Sequence, residues 1–417
     1  LLVEAADRGV RVRLLIDDMD LEGRDATAVA LDSHPNIELR IFNPFDRDIG
    51  RLPQYVSGFG SVTRRMHNKS FTVDNQVTIV GGRNIGNEYF EADPALDFTD
   101  LDVMAIGSVV KEVSHAFDLY WNSELAYPAK TLIDERPSEE DIEAMRRSLA
   151  KFAEQQKDSD YIEALQNSDL ANRMRARLVV YDWGSAEVVY DLPEKLKSER
   201  DKTELHLMTQ LRPHFEGVQK ELIIFSPYFV PGKEGVEFFE SLTERGVRVK
   251  IMTNSLASND VSVVHAGYSK YRKALLRAGV ELYEMNKQLT REQRKEKKGG
   301  SGSSKASLHA KSFVLDREKV FIGSLNLDPR SFYENSEIGI IVKSPEMAAP
   351  MAQRFDQNIE MNAFRLELVN DEEGNEYLLW HGYDNGEKVI FEHDPYTSIW
   401  RRMGVGFMRI MPIESQL

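Results

Sequence analysis

The sequence predicts an α/β fold made of two copies of one unit, each a mixed sheet flanked by helices. Three observations predict it. Helix-like stretches run into alternating apolar strands, as in Leu1–Gly9 followed by Val10–Asp17. Short motifs recur in one order at a nearly constant spacing of 237–243 residues. One of those motifs, His-x-Lys, carries chemically useful groups in both copies.

In chain order, the first echo joins Arg8-Gly9-Val10-Arg11-Val12 to Arg245-Gly246-Val247-Arg248-Val249. Asn36-Ile37-Glu38-Leu39 followed by Asn43 matches Gly279-Val280-Glu281-Leu282 followed by Asn286, and His67-x-Lys69 matches His309-x-Lys311. A weaker echo links His115-Ala116-Phe117-Asp118 to Gln353-Arg354-Phe355-Asp356. A common helix-to-strand joint accounts for one echo, whereas four in one order indicate duplication. In the second copy an apolar strand, Glu221–Ser226, and a turn, Pro227–Gly232, precede the joint. The first copy lacks both, so its opening strand is expected upstream of Leu1.

The expected organisation is a first lobe over 1–133, a helical insertion over 134–175, a second lobe over 176–365 and a tail over 366–417 that packs on the lobes. Ile142, Met145, Leu149 and Phe152 recur at helical spacing in the insertion, which reads as a solvated helical linker. Thr290–Ser307 combines Arg291, Arg294, Lys295, Lys297 and Lys298 with a Gly/Ser run, the composition of a flexible basic loop just before His309. The tail is rich in turn residues and aromatics, including Trp380, Tyr383, Tyr396 and Trp400, and reads as short strands and a closing helix.

Composition narrows the chemistry by exclusion. The 417 residues contain no cysteine, so disulfides, thiolate metal sites and cysteine nucleophiles are excluded. A net charge of −15 argues against a general nucleic-acid coat, although a local basic patch is compatible with it. No apolar run reaches the roughly 18–20 residues of a spanning helix.

The two motifs extend beyond His-x-Lys. The first reads His67-x-Lys69-x4-Asp74 and then Gly81-Gly82-Arg83-Asn84, and the second His309-x-Lys311-x4-Asp316 and then Gly323-Ser324-Leu325-Asn326. On a strand, residues i and i+2 share a face, so each His and Lys project together. Asp74 and Asp316 complete the motifs and count with His67, Lys69, His309 and Lys311 in the catalytic set, although they begin turns and are expected to act there as structural hydrogen-bonders. Gly82 and Ser324 are small enough for backbone to approach a ligand closely. Two lysines supply fixed positive charge for a phosphodiester, and Asn84 and Asn326 supply amide donors for its oxygens. Two histidines can divide the work, one attacking phosphorus and the other protonating the leaving alcohol. No cofactor or metal is required.

These residues resemble the double motif of the phospholipase D superfamily, and the resemblance covers most of the chain. Arg65–Phe71 with Gly81–Gly86, and Gly323–Ser331, resemble bacterial cardiolipin synthases, closest to the cardiolipin synthase C type; Phe225–Gly232 and Thr397–Arg402 agree. The resemblance implies two α/β lobes sharing one cleft and a metal-free ping-pong phosphatidyl transfer. The implied product is cardiolipin, from phosphatidylglycerol and a second phospholipid, with phosphatidylethanolamine as donor. A phospholipid at a membrane surface is then the partner, and the implied location is the periphery of a bacterial cytoplasmic membrane. His67 is implied as nucleophile and His309 as acid, although the sequence alone does not break their symmetry. The family also places an acidic residue against each histidine. Glu337 matches it in the second copy, and in the first the candidates are Asp100 and Asp102. The alternatives are a hydrolytic phospholipase D or nuclease of the same superfamily and, from another class, an inactive membrane-binding scaffold.

Overall fold

The computed structural model describes residues 1–21, 25–47, 63–84, 100–133, 138–157, 160–259, 261–286, 307–384 and 386–409. The basic stretch Arg291–Lys305, expected beside His309, lies outside them.

The first half contributes β1 (Val12–Asp17), β2 (Ile37–Phe42), β3 (Ser70–Val73), β4 (Val77–Gly81), β5 (Asp102–Ile106) and β6 (Ala126–Pro128). The second contributes β7 (Ser185–Tyr190), β8 (Glu221–Phe225), β9 (Arg248–Asn254), β10 (Glu281–Met285), β11 (Ser312–Leu315), β12 (Lys319–Gly323) and β13 (Ile338–Lys343). These are followed by β14 (Ala363–Asn370), β15 (Glu376–Asp384) and β16 (Glu387–Phe391). All ten second-half strands form one sheet, ordered β16-β15-β14-β10-β9-β8-β11-β12-β13-β7. β14–β16 thus extend the sheet of the second lobe rather than lying over it. The six first-half strands split into two sheets, β1-β2-β6 and β3-β4-β5.

The duplication is visible in the pairing. β1 pairs parallel with β2, as β9 does with β10, and the motif hairpin β3–β4 corresponds to β11–β12. In the second lobe β8 runs parallel to β9 and antiparallel to β11, bonding the two groups of strands into one sheet. Among the described residues, no strand takes that place between β1 and β3.

One apolar core crosses the boundary between lobes. Val80 of β4, Val103 of β5 and Val109, Val110, Val113 and Ala116 pack with Ile223, Ile322, Ile340 and Phe355. The last four first-half positions lie on the helix Val109–Trp121, whose buried residues also include Tyr120 and Trp121, the i, i+4, i+7, i+11 spacing of one face. Apolar burial at roughly 25 cal/mol per Å² resists any sliding of one lobe on the other. The two halves therefore share one packed core.

Candidate active site

Each histidine precedes the first strand of its motif hairpin. His67 sits three residues before β3 and His309 three before β11. Backbone pairing brings the first segment onto the second lobe: Met66 and Ser336 form a parallel bridge, His67 N donates to Ser336 O at 2.9 Å and Ser336 N to Arg65 O at 3.0 Å. Ser336 Oγ also donates to Asn68 Oδ1 at 2.6 Å. Glu337, the next residue in the chain, thereby reaches the ring of His67.

The carboxylate partners are crossed between the copies. His67 Nδ1 meets Glu337 Oε2 at 2.8 Å, and His309 Nδ1 meets Asp100 Oδ2 at 2.8 Å. The expectation that each acid serves the histidine of its own copy is corrected, because the bridge at Ser336 sets Glu337 against the other lobe's motif. Asp102 is not the partner: it accepts from Arg83 Nε at 2.8 Å. Binding through Nδ1 fixes each ring's orientation and leaves Nε2 as the atom for chemistry.

The lysines join the same cleft. Lys69 Nζ donates to His67 O at 2.8 Å, and Lys311 Nζ donates to His309 O at 2.6 Å while lying within 3.3 Å of both nitrogens of the His309 ring. Lys311 is fully buried. The small positions earn their size: a Cβ on Gly82 would lie 2.7 Å from Asp100 Oδ1 and 3.3 Å from Lys311 Cδ. At the matching place in the second copy, Ser324 Oγ donates to Glu337 Oε2 at 2.5 Å. Asn326 is buried, and among the described residues its Oδ1 has no partner. Asn84 is half-buried at the end of the first motif.

Asp74 and Asp316 lie away from this cluster, in the tight turns at the far ends of the hairpins, with φ of 53° and 55°. Asp316 accepts backbone N–H groups of Gln219, Lys220 and Glu221 at 2.7–3.2 Å, so it anchors the entry to β8. Neither aspartate touches the histidine–lysine cluster, because the four residues separating it from its lysine form a strand leading away from the cleft.

Electrostatics distinguish the two histidines. Burial, followed by the charges of Lys69, Lys311 and Arg330, pushes His67 well below the usual histidine value. Burial and Lys311 lower His309 to about 4, against the upward pull of Asp100. Burial acts to raise Asp100, but the hydrogen bond from His309 and the charges of His309 and Lys311 bring it below its ordinary value. Burial raises Glu337 to about 7, opposed by Lys69, and lowers Lys69 to about 7, opposed by Glu337. Asp100 is thus the anionic acid of the pair at neutral pH.

Several supporting residues carry no sequence signal of their own. Buried Asp191 accepts Glu337 N at 2.7 Å and pairs with Lys195 at 3.0 Å, and Lys195 Nζ reaches Ser331 O at 3.0 Å. Asn254, at the end of β9, accepts from Leu308 N and donates to Leu308 O, both at 2.9 Å, locking the residue before His309. Ser226 Oγ accepts from Leu327 N at 3.0 Å, tying the Phe225–Gly232 turn to the second motif. Only the i, i+4 spacing of Asp191 and Lys195 was visible beforehand, and many surface pairs share it.

Two His-Lys pairs converging on one cleft across duplicated α/β lobes define the phospholipase D superfamily. The chain matches the family described as "Cardiolipin synthase, PLD-like domain" over residues 1–121 and 211–359, and it belongs to that family. It is 41% identical to cardiolipin synthase C of Escherichia coli (strain K12), over 99% of this chain and 86% of that protein. It is 25% identical to a cardiolipin synthase of Geobacillus sp. (strain WCH70), over 86% of this chain and 57% of that one. Among solved structures, phosphatidylserine synthase of Haemophilus influenzae Rd KW20 covers the whole chain, and 93% of its own, with a TM-score of 0.52 at 14% identity, a likeness of fold.

Proposed function

We propose that the chain is a phosphatidyltransferase that forms cardiolipin from phosphatidylglycerol and a second phospholipid, phosphatidylethanolamine, without a metal. The crossed pairs His67–Glu337 and His309–Asp100, at 2.8 Å each with a lysine beside each ring, carry the reading. His67 Nε2 attacks the donor phosphorus, and the bond to the leaving alcohol breaks as His309 supplies its proton. The phosphatidyl group is then held on His67. A phosphatidylglycerol hydroxyl gives its proton to His309 and attacks phosphorus, the P–N bond breaks, and cardiolipin leaves.

The division of labour rests on charge. His67 is surrounded by Lys69, Lys311 and Arg330, which keep it neutral and nucleophilic. His309 faces anionic Asp100, which stabilises its protonated form, and an incoming phosphodiester anion favours that form further. Lys69 and Lys311 are placed to balance charge on the phosphoryl oxygens. The 41% identity to a cardiolipin synthase supports the lipid substrate class and a bacterial membrane periphery as the place of action; among the described residues no helix is long and apolar enough to cross a bilayer.

Vesicles containing phosphatidylglycerol and phosphatidylethanolamine test the reading through product analysis. Cardiolipin with free ethanolamine is the expected result. Phosphatidic acid without cardiolipin would assign a hydrolase, and absence of any product would assign an inactive scaffold.

A further inference from the structure

The C-terminal helix Ile399–Met408 has two apolar faces, and the fold uses one. Val405 packs with Leu256, Ala266 and Met408, seating the helix beside the helix Ser262–Ser269. Ile399, Trp400, Met403 and Phe407 stand in solvent, Trp400 77% and Phe407 69% exposed. At 3.6 residues per turn these four fall within an arc of about 100°, and Val405 lies diametrically behind its centre. A contiguous exposed apolar face of this kind marks a contact surface.

Charge identifies what covers it. Tyr396–Arg409 contains Arg401, Arg402 and Arg409 and no Asp or Glu, in a chain whose net charge is −15. Arg401 donates to Asn259 O at 2.9 Å and Arg402 to Thr397 O at 2.7 Å, which fixes both beside the apolar arc. Aromatic and aliphatic side chains on one face, flanked by arginine without a carboxylate, match the boundary between acyl chains and anionic headgroups.

Position connects the helix to the cleft. Asn259, held by Arg401, ends the loop that follows β9. Within that loop Ser258 Oγ donates to Asn254 Oδ1, and Asn254 clamps Leu308 beside His309. The helix is therefore tied, through Asn259, Ser258 and Asn254, to the residue that precedes His309.

We propose that the Ile399–Met408 helix is an interfacial docking helix, inserting Ile399, Trp400, Met403 and Phe407 into an anionic bilayer so that lipid headgroups meet the His67/His309 cleft. The choice of a lipid occupant rests on the phosphatidyltransferase reading. The test uses the full chain, vesicles of phosphatidylglycerol and phosphatidylethanolamine, and the double variant Trp400→Ser/Phe407→Ser. Vesicle co-sedimentation should weaken at least tenfold and vesicle turnover should fall with it. Turnover of monomeric short-chain forms of the same lipids should stay within twofold, and the vesicle-induced blue shift of tryptophan fluorescence should shrink. Phe152→Ser, at an exposed aromatic on the helix Glu139–Gln156, should leave vesicle binding intact. Unchanged vesicle binding by the double variant overturns the proposal, as does an equal loss with Phe152→Ser. Conversion of a dimer to a monomer with vesicle binding preserved also overturns it, assigning the face to a second copy. A wild-type chain that binds vesicles through this helix yet turns over no lipid supports docking and defeats the catalytic reading alone.

Discussion

The same five motif positions behave differently in the two lobes. Ser70-Phe71-Thr72-Val73-Asp74 and Ser312-Phe313-Val314-Leu315-Asp316 are equivalent strands and turns of one motif. Phe71 is 49% exposed and Val73 45%, whereas Phe313 is 0% and Leu315 3%. Asp316 accepts three backbone N–H groups at the entry to β8; among the described residues Asp74 accepts none. Among the described residues β8 pairs with β11, and no described strand takes the matching place beside β3. Both motifs nevertheless deliver a histidine and a lysine to one cleft. Each histidine ring is held by a carboxylate of the other lobe, and each lysine by the backbone of its own motif.

The largest expected effect tests the equality. His67→Ala and His309→Ala should each reduce turnover at least about 10⁴-fold, since nucleophile and acid act as one unit. A variant of either that keeps near-normal phosphatidyl transfer would break the symmetry of the site. Next, Gly82→Ala should cost about 100-fold in kcat with little change in thermal midpoint, because the new Cβ lies 2.7 Å from Asp100 Oδ1 and displaces the carboxylate from His309. Restoration of activity by no other means than refolding would point to stability instead, and circular dichroism alongside kinetics separates the two.

Hydrogen exchange addresses the inequality. Amides of Ser70–Val73 should exchange at least about thirtyfold faster than those of Ser312–Leu315, which have strands on both sides. Equal protection would show that the first hairpin is as well anchored as the second. Smaller still, Asp316→Ala should destabilise by about 1–2 kcal/mol through lost backbone hydrogen bonds, with Asp74→Ala within about 0.5 kcal/mol of wild type by denaturant unfolding. The smallest effect is the position of the acid limb of kcat/KM. Burial lowers both imidazoles; for His67, the attacking ring, the neutral form therefore persists below the ordinary histidine value of about 6.5 and is lost only at lower pH. An acid limb centred at 7 would contradict the burial of these rings.

Much of this was legible in the sequence, for physical reasons that also mark its boundary. His67, Lys69, His309 and Lys311 were readable because the repeat brought each pair forward twice; the expectation that they lie on a strand is corrected, since all four sit just before β3 and β11. The role of Asp316 was readable from its turn position. The exchange of Glu337 and Asp100 between copies was not, because it follows from one bridge between Met66 and Ser336, residues far apart in the chain with no pattern linking them. The support that Asp191 and Lys195 give to Glu337 was hidden likewise, since burial and not spacing distinguishes that pair from a surface one. The extension of the second-lobe sheet by β14–β16 depends on an edge at β10, and edges are a property of the assembled sheet.

The crossed acids have a consequence for how such a protein can change over generations. A duplicated gene ordinarily lets one copy drift while the other keeps the activity. Here a substitution at position 337 is felt at His67, and one at position 100 is felt at His309. Neither half can serve as the other's spare, so the two inherited copies are bound to a common fate.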